Sequence, residues 1–66
     1  MSSDLGVRLY ELRQSRQLSQ EQVANMCQTT REFYGRLERG ELKNPTIKTL
    51  EKLAAALQTT VAVLIR

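Results

Sequence analysis

Apolar positions recur at helical spacing along almost the whole chain, and no stretch alternates long enough to make a strand. Leu5, Leu9 and Leu12, four and three apart, mark one face of a first helix that begins after Ser3 or Asp4, either of which can cap it. In "LSQEQ", Ser19 and Gln22 have capping-box spacing and Leu18 stands where a hydrophobic staple would. That predicts a second helix over Gln20–Met26 with Val23, Ala24 and Cys27 inward. Thr29 or Thr30 opens a third helix inside "TTREFYGRLERG"; Tyr34 and Leu37 face the core, and Gly40 sits where a C′ glycine ends a helix. Pro45 and Thr46 lead into a fourth, Ile47 to Leu57. Its stripe is Ile47, Leu50, Leu53, Ala54 and Leu57, with Lys48, Glu51 and Lys52 outward. After "QTT", Thr60 caps a last short helix holding Val61, Leu64 and Ile65. Val63 falls off the Val61–Leu64 face and is expected to be exposed. The pattern therefore predicts an all-α fold, a compact bundle of five short helices in a single domain over residues 1–66.

The second and third helices are each two to three turns long, and only "CQTT" separates them. Ala24 is small on the face the third helix must cross, which lets two helix axes approach closely. This is the layout of a helix-turn-helix.

Together with that layout, "LYELRQSRQLSQEQVA", "RLERGELKNPTIKTLEKLAAAL" and "VAVLI" keep an order and spacing that resemble the lambda-repressor-like, Cro/C1-type (XRE) helix-turn-helix domain from Leu5 to Ile65. The resemblance implies a five-helix DNA-binding domain whose third helix reads the major groove. By position it assigns Arg31, Glu32 and Arg36 to base contact. An Arg can bond guanine O6 and N7 with two donors, and a Glu can accept from cytosine N4. Glu32 has a second reading, because Thr29 and Glu32 also have capping-box spacing. Gln20 matches a position whose amide contacts phosphate; Thr30, Lys43 and Asn44 are further candidates for the DNA backbone. Arg39 is either another phosphate contact or a plain surface charge. Phe33 either packs on a neighbouring helix or touches sugar or a thymine methyl. Arg13 and Glu38 match positions that often form a partly buried ion pair. Val61 and Val63 fall where the family commonly dimerises. Three departures stand out. Gln28 occupies the turn position, and Gln58 the position after the fourth helix, where many members have glycine. Gly35 lies inside the recognition helix, at a cost of about 1 kcal/mol relative to Ala. It either lets the helix backbone approach phosphates or has no role.

Composition narrows the picture further. At 66 residues the chain buries only about 60% of its unfolded surface. With one Cys and no His it can form neither an internal disulfide nor an ordinary zinc site, so no metal or other cofactor is expected. Ten Lys+Arg against seven Asp+Glu give a net charge of +3, which permits a polyanionic partner without requiring one. No run of about 18 apolar residues exists, and the start lacks the apolar core of a signal peptide. A cytoplasmic protein is expected, bacterial or phage-encoded and associated with the nucleoid. An enzyme is disfavoured by the missing His, the single core-facing Cys and the short chain. No small-molecule ligand is expected within it.

The leading expectation is a sequence-specific regulator of transcription on double-stranded DNA, a repressor acting as a dimer on a near-palindromic operator. A phage-type repressor, a restriction-modification controller, an antitoxin and the excised DNA-binding part of a longer repressor all fit. The alternative from another class is a module that uses the same fold to bind a partner protein. It would want an acidic or apolar recognition face, and Arg31 and Arg36 speak against that.

Overall fold

The computed structural model describes residues 4–42 and 44–65, apart from the side chain of Asp4. Within them lie five helices: α1 (Asp4–Ser15), α2 (Gln20–Met26), α3 (Arg31–Glu38), α4 (Ile47–Ala56) and α5 (Val61–Ile65). The described residues contain no strand. α3 packs on both α1 and α2, α4 rests on α2, and α5 closes the bundle against α1 and α4. The core draws on every helix, from Leu9 through Val23, Tyr34, Leu37, Leu53 and Leu57 to Leu64. Among the described residues, no helix is long and apolar enough to cross a membrane.

The starts of α2, α3 and α4 follow the predicted chemistry, while the cap expected of Ser3 or Asp4 lies outside the described residues. Ser19 Oγ accepts from the Gln22 N–H at 3.0 Å while Gln22 Oε1 accepts from the Ser19 N–H at 2.8 Å, completing the capping box. Thr30 and Thr46 cap α3 and α4 through their hydroxyls, accepting from the N–H of Phe33 and Thr49 at 3.1 Å each.

The helix ends share one device. After α1, α2, α3 and α4 the chain turns through a residue at positive φ: Gln17 (57°), Gln28 (60°), Gly40 (80°) and Gln58 (57°). In each case the next N–H returns to a carbonyl five residues back: Leu18 to Arg13, Thr29 to Ala24, Glu41 to Arg36, and Thr59 to Ala54, at 2.9–3.1 Å. These are Schellman closures, and only Gly40 is the residue that adopts the conformation without steric cost. Gln28 and Gln58 stand in glycine positions as expected; Gln17 is a third case.

One apolar assignment is corrected. Ile47 lies on the helical stripe but is 63% exposed, because it begins α4 at the edge of that stripe, about 70° from the mean direction of Leu50, Leu53, Ala54 and Leu57. Ala56, on the other edge of the stripe, is buried. Ile65 is 59% exposed at the end of α5, where Leu64 alone is fully buried.

Gly6, in the first turn of α1, marks a close helix contact. A Cβ placed there would lie 2.5 Å from the Glu38 carbonyl oxygen and 2.8 Å from that of Leu37. The backbones of α1 and α3 therefore meet where a side chain cannot fit.

Candidate nucleic-acid interface

α3 is anchored on one side and bare on the other. Tyr34 and Leu37 are 0% and 1% exposed and fasten it to the core. Arg31, Glu32 and Arg36 are exposed on the outer side. Thr30 is the N-cap, so Glu32 is the second helical residue, not the third. The Thr29–Glu32 capping box does not form, and the Glu32 carboxylate is left outward.

A single carboxylate joins the three helices of this region. Arg13 donates from Nε to Glu38 Oε2 at 2.6 Å and from Nη2 to Oε1 at 3.2 Å. Its Nη1 reaches the Leu18 carbonyl at 3.0 Å. Gln20 Nε2 donates to Glu38 Oε1 at 3.0 Å. Burial alone would push the Glu38 carboxyl up. The hydrogen bonds from Arg13 and Gln20 and the Arg13 charge outweigh it and hold the group below the ordinary carboxylate value. The expected Arg13–Glu38 pair is thus present and bidentate. Tyr34 Oη is buried beside it with no hydrogen-bond partner among the described residues, and burial pushes that phenol far up.

An ionised carboxylate only accepts, so the Gln20 amide must turn its nitrogen inward to Glu38. The amide expected to meet phosphate thus commits one of its two N–H donors to α3. Gly35 forms the floor of a notch walled by Gln20, Arg31, Glu32 and Arg39. A Cβ there would stand 3.3 Å from Arg39 Nη1 and 3.6 Å from Gln20 Oε1, so what approaches this glycine is the protein's own side chains.

Phe33 is half-buried and packs against the core near Cys27, Thr49 and Leu53. Packing on a neighbouring helix, one of its two readings, is therefore present. Cys27 is buried as expected. Burial pushes its thiol up, against a smaller opposing effect of Lys52, which leaves it protonated and a poor nucleophile at neutral pH.

Beyond α3, Asn44 is exposed, and Lys43 lies outside the described residues. Arg39 is exposed but not a free charge. Its Nε donates to Glu41 Oε2 at 2.9 Å, and Arg36 Nε donates to Glu41 Oε1 at 3.4 Å. Sequence reasoning missed Glu41. The signal was there: a C′ glycine at Gly40 implies a Glu41-to-Arg36 backbone bond, and so a carboxylate beside the arginines.

The two residues expected at a dimer contact are less free than their spacing suggests. Val61 is half-buried against the core. Val63 is half-buried too, correcting the expectation of an exposed side chain; it lines a depression with Arg8, Glu11, Leu12 and Ser15 of α1.

The sequence matches the HTH_3 family, described as helix-turn-helix, over residues 9–64. A comparison with curated protein sequences found no match. Among solved structures, SinR, the master regulator for biofilm formation, in complex with DNA, is similar at TM-score 0.89 and 27% identity. That alignment covers 94% of this chain and 98% of the other. A SinR–SinI complex is similar at TM-score 0.87 and 28% identity, over 92% of this chain and 59% of the other. The restriction-modification controller C.AhdI from Aeromonas hydrophila is similar at TM-score 0.87 and 37% identity, over 94% of this chain and 92% of the other. With its five helices in the lambda-repressor-like arrangement and its match running from Leu9 to Leu64, the chain belongs to the Cro/C1-type (XRE) helix-turn-helix family.

Proposed function

We propose that the protein is a sequence-specific regulator of transcription that binds double-stranded DNA, a repressor acting as a homodimer on a near-palindromic operator. The observation that carries this reading is the two-sidedness of α3: Tyr34 and Leu37 buried, Arg31, Glu32 and Arg36 exposed on the opposite side. On a helix the two arginines stand about 140° apart, near the edges of one broad face. Such a face enters a major groove, where Arg31 and Arg36 reach guanine O6 and N7 and Glu32 reaches cytosine N4. Thr30, Arg39, Lys43, Asn44 and the remaining amide N–H of Gln20 act on phosphates and fix the register. The solved SinR–DNA complex and the C.AhdI controller support the reading by likeness of fold.

The homodimer contact is proposed at α5. Val61 and Val63 lie at its edge, and the exposed Ile65 supplies apolar surface that would be covered. Two copies of α3 would then read half-sites about 34 Å apart, and repression would follow from occupancy of the site. The SinR–SinI structure favours one second reading, in which the same fold binds a partner protein, as an antitoxin would.

Selection of bound sequences from random duplex DNA tests the proposal. An enriched motif with two symmetric half-sites is expected. Arg36→Ala should then cost about 1–3 kcal/mol at the preferred site and relax preference at one base pair per half-site. A pool that stays random at low salt would refute DNA reading. A common loss on every sequence would reassign Arg36 to phosphate.

A further inference from the structure

The turn that ends α3 does more than stop a helix. Gly40, at φ 80°, folds the chain back so that the Glu41 N–H meets the Arg36 carbonyl at 3.0 Å. The Glu41 side chain is thereby launched from fixed backbone toward the outer side of α3. Its carboxylate takes Arg39 Nε on Oε2 at 2.9 Å and Arg36 Nε on Oε1 at 3.4 Å, with Arg39 Nη2 at 3.5 Å. Gly35 completes the arrangement, because its missing side chain leaves room for Arg39 Nη1 to lie along the helix toward Gln20. Both arginines are thus held by the Nε edge. Arg36 makes no hydrogen bond through Nη1 or Nη2 among the described residues, so its terminal fork is left for a ligand.

We propose that Glu41 is a specificity-determining residue of the DNA-reading face: it holds Arg36 from behind, so that its fork serves a base, and it neutralises cationic charge that would otherwise bind any phosphate.

This inference rests on the DNA-binding function proposed above. A phosphate accepts a guanidinium in almost any orientation and rewards net positive charge. A guanine edge takes two coplanar donors, which the Nη1/Nη2 fork supplies when Nε is already held. A carboxylate behind the Nε edge therefore lowers affinity for arbitrary duplex more than for the matched site. Exposed ion pairs of this kind contribute little to stability, so the role is in binding and not in the fold. The direction of titration agrees. The Arg39 hydrogen bond and charge, then those of Arg36, hold the Glu41 carboxyl below its ordinary value, and it is ionised at neutral pH.

The test uses the full chain and two fluorescent duplexes, one carrying the selected site and one with that site scrambled, each titrated at several salt concentrations. Glu41→Gln is expected to leave the thermal unfolding midpoint unchanged. It should raise affinity for the scrambled duplex by about threefold to tenfold near 0.1 M salt and steepen its salt dependence by up to about one ion. Affinity for the selected site should rise by less, so the ratio falls. Glu21→Gln removes an equal, exposed charge that makes no side-chain hydrogen bond to an arginine among the described residues; it should move both duplexes by one factor. In an Arg36→Ala background, Glu41→Gln should no longer change base preference. Independently of DNA, the Nε–H resonances of Arg36 and Arg39 should be slowed in solvent exchange and should lose that protection in Glu41→Gln. If the parent discriminates the duplexes but Glu41→Gln moves both equally or neither, Glu41 is a surface charge and this proposal falls alone. If the parent binds neither duplex, the DNA reading falls and takes this proposal with it.

Discussion

Replacing Gly6 with alanine puts one methyl group where two backbone carbonyls already stand. The added Cβ would lie 2.5 Å from the Glu38 oxygen, 2.8 Å from the Leu37 oxygen and 3.0 Å from the Glu38 carbonyl carbon. None of these is the movable tip of a side chain, so α1 must withdraw from α3 by roughly 1 Å to reach van der Waals distance. Alanine favours the helix by about 1 kcal/mol over glycine. Against that stand about 1–3 kcal/mol of overpacking and the loosening of the buried Arg13–Glu38 pair, which spans the same two helices at 2.6 and 3.2 Å. Losing a buried pair outright costs about 3–5 kcal/mol; stretching it costs part of that. The net expectation is a loss of about 2–4 kcal/mol. A domain of this size has roughly 3–10 kcal/mol in all, so the unfolding midpoint should drop by roughly 10–25 °C. Circular dichroism during thermal and urea unfolding measures this directly. Gly35→Ala is the matched control, since its Cβ would meet only the side-chain atoms Arg39 Nη1 at 3.3 Å and Gln20 Oε1 at 3.6 Å. It should be neutral or stabilising by up to about 1 kcal/mol. A Gly6→Ala protein as stable as its parent would refute the close approach of α1 and α3.

Three further outcomes are expected. Gln28→Gly removes a left-handed side chain at φ 60° and should stabilise by somewhat less than 1 kcal/mol, since greater unfolded-state freedom offsets about part of the gain; a lower urea midpoint would show the residue is unstrained. Glu38 is held below its ordinary value of 4.5, so its contribution is present above that pH and lost as pH falls through the folded-state value. The stability gap between the parent and Glu38→Gln, measured by urea unfolding, should be widest near neutrality and close in acid; a gap that widens in acid would contradict the network. Ile65→Glu alters an exposed side chain and should leave the monomer folded while sedimentation shows loss of the homodimer on DNA; a variant that still dimerises would move the interface away from α5.

The division between what the residues dictate and what the assembly decides runs along the range of the interactions. Local chemistry was legible: the Ser19–Gln22 capping box, the threonine caps, the Gly40 closure and the inward face of each helix depend on groups a few residues apart. The Arg13–Glu38 pair and the strained turns at Gln28 and Gln58 became legible through the family resemblance, which carries long-range geometry that spacing alone does not. Gln17 was missed because nothing singles out the third glutamine in a glycine conformation until the backbone is seen. Periodicity says which face of a helix is apolar, not which of its edges is covered. Ile47 therefore reads as core yet is exposed, and Val63 reads as exposed yet is half-buried over α1. The same limit hid Gly6, whose importance lies in carbonyls more than thirty residues away; Glu41 is a different case, since the local turn at Gly40 that returns it to Arg36 and Arg39 was legible. Sequence alone determined five helices and a two-sided α3, because hydrogen-bonded helices and their caps are short-range. Tertiary structure decided how close those helices stand and which charges meet, because those depend on how whole helices cross.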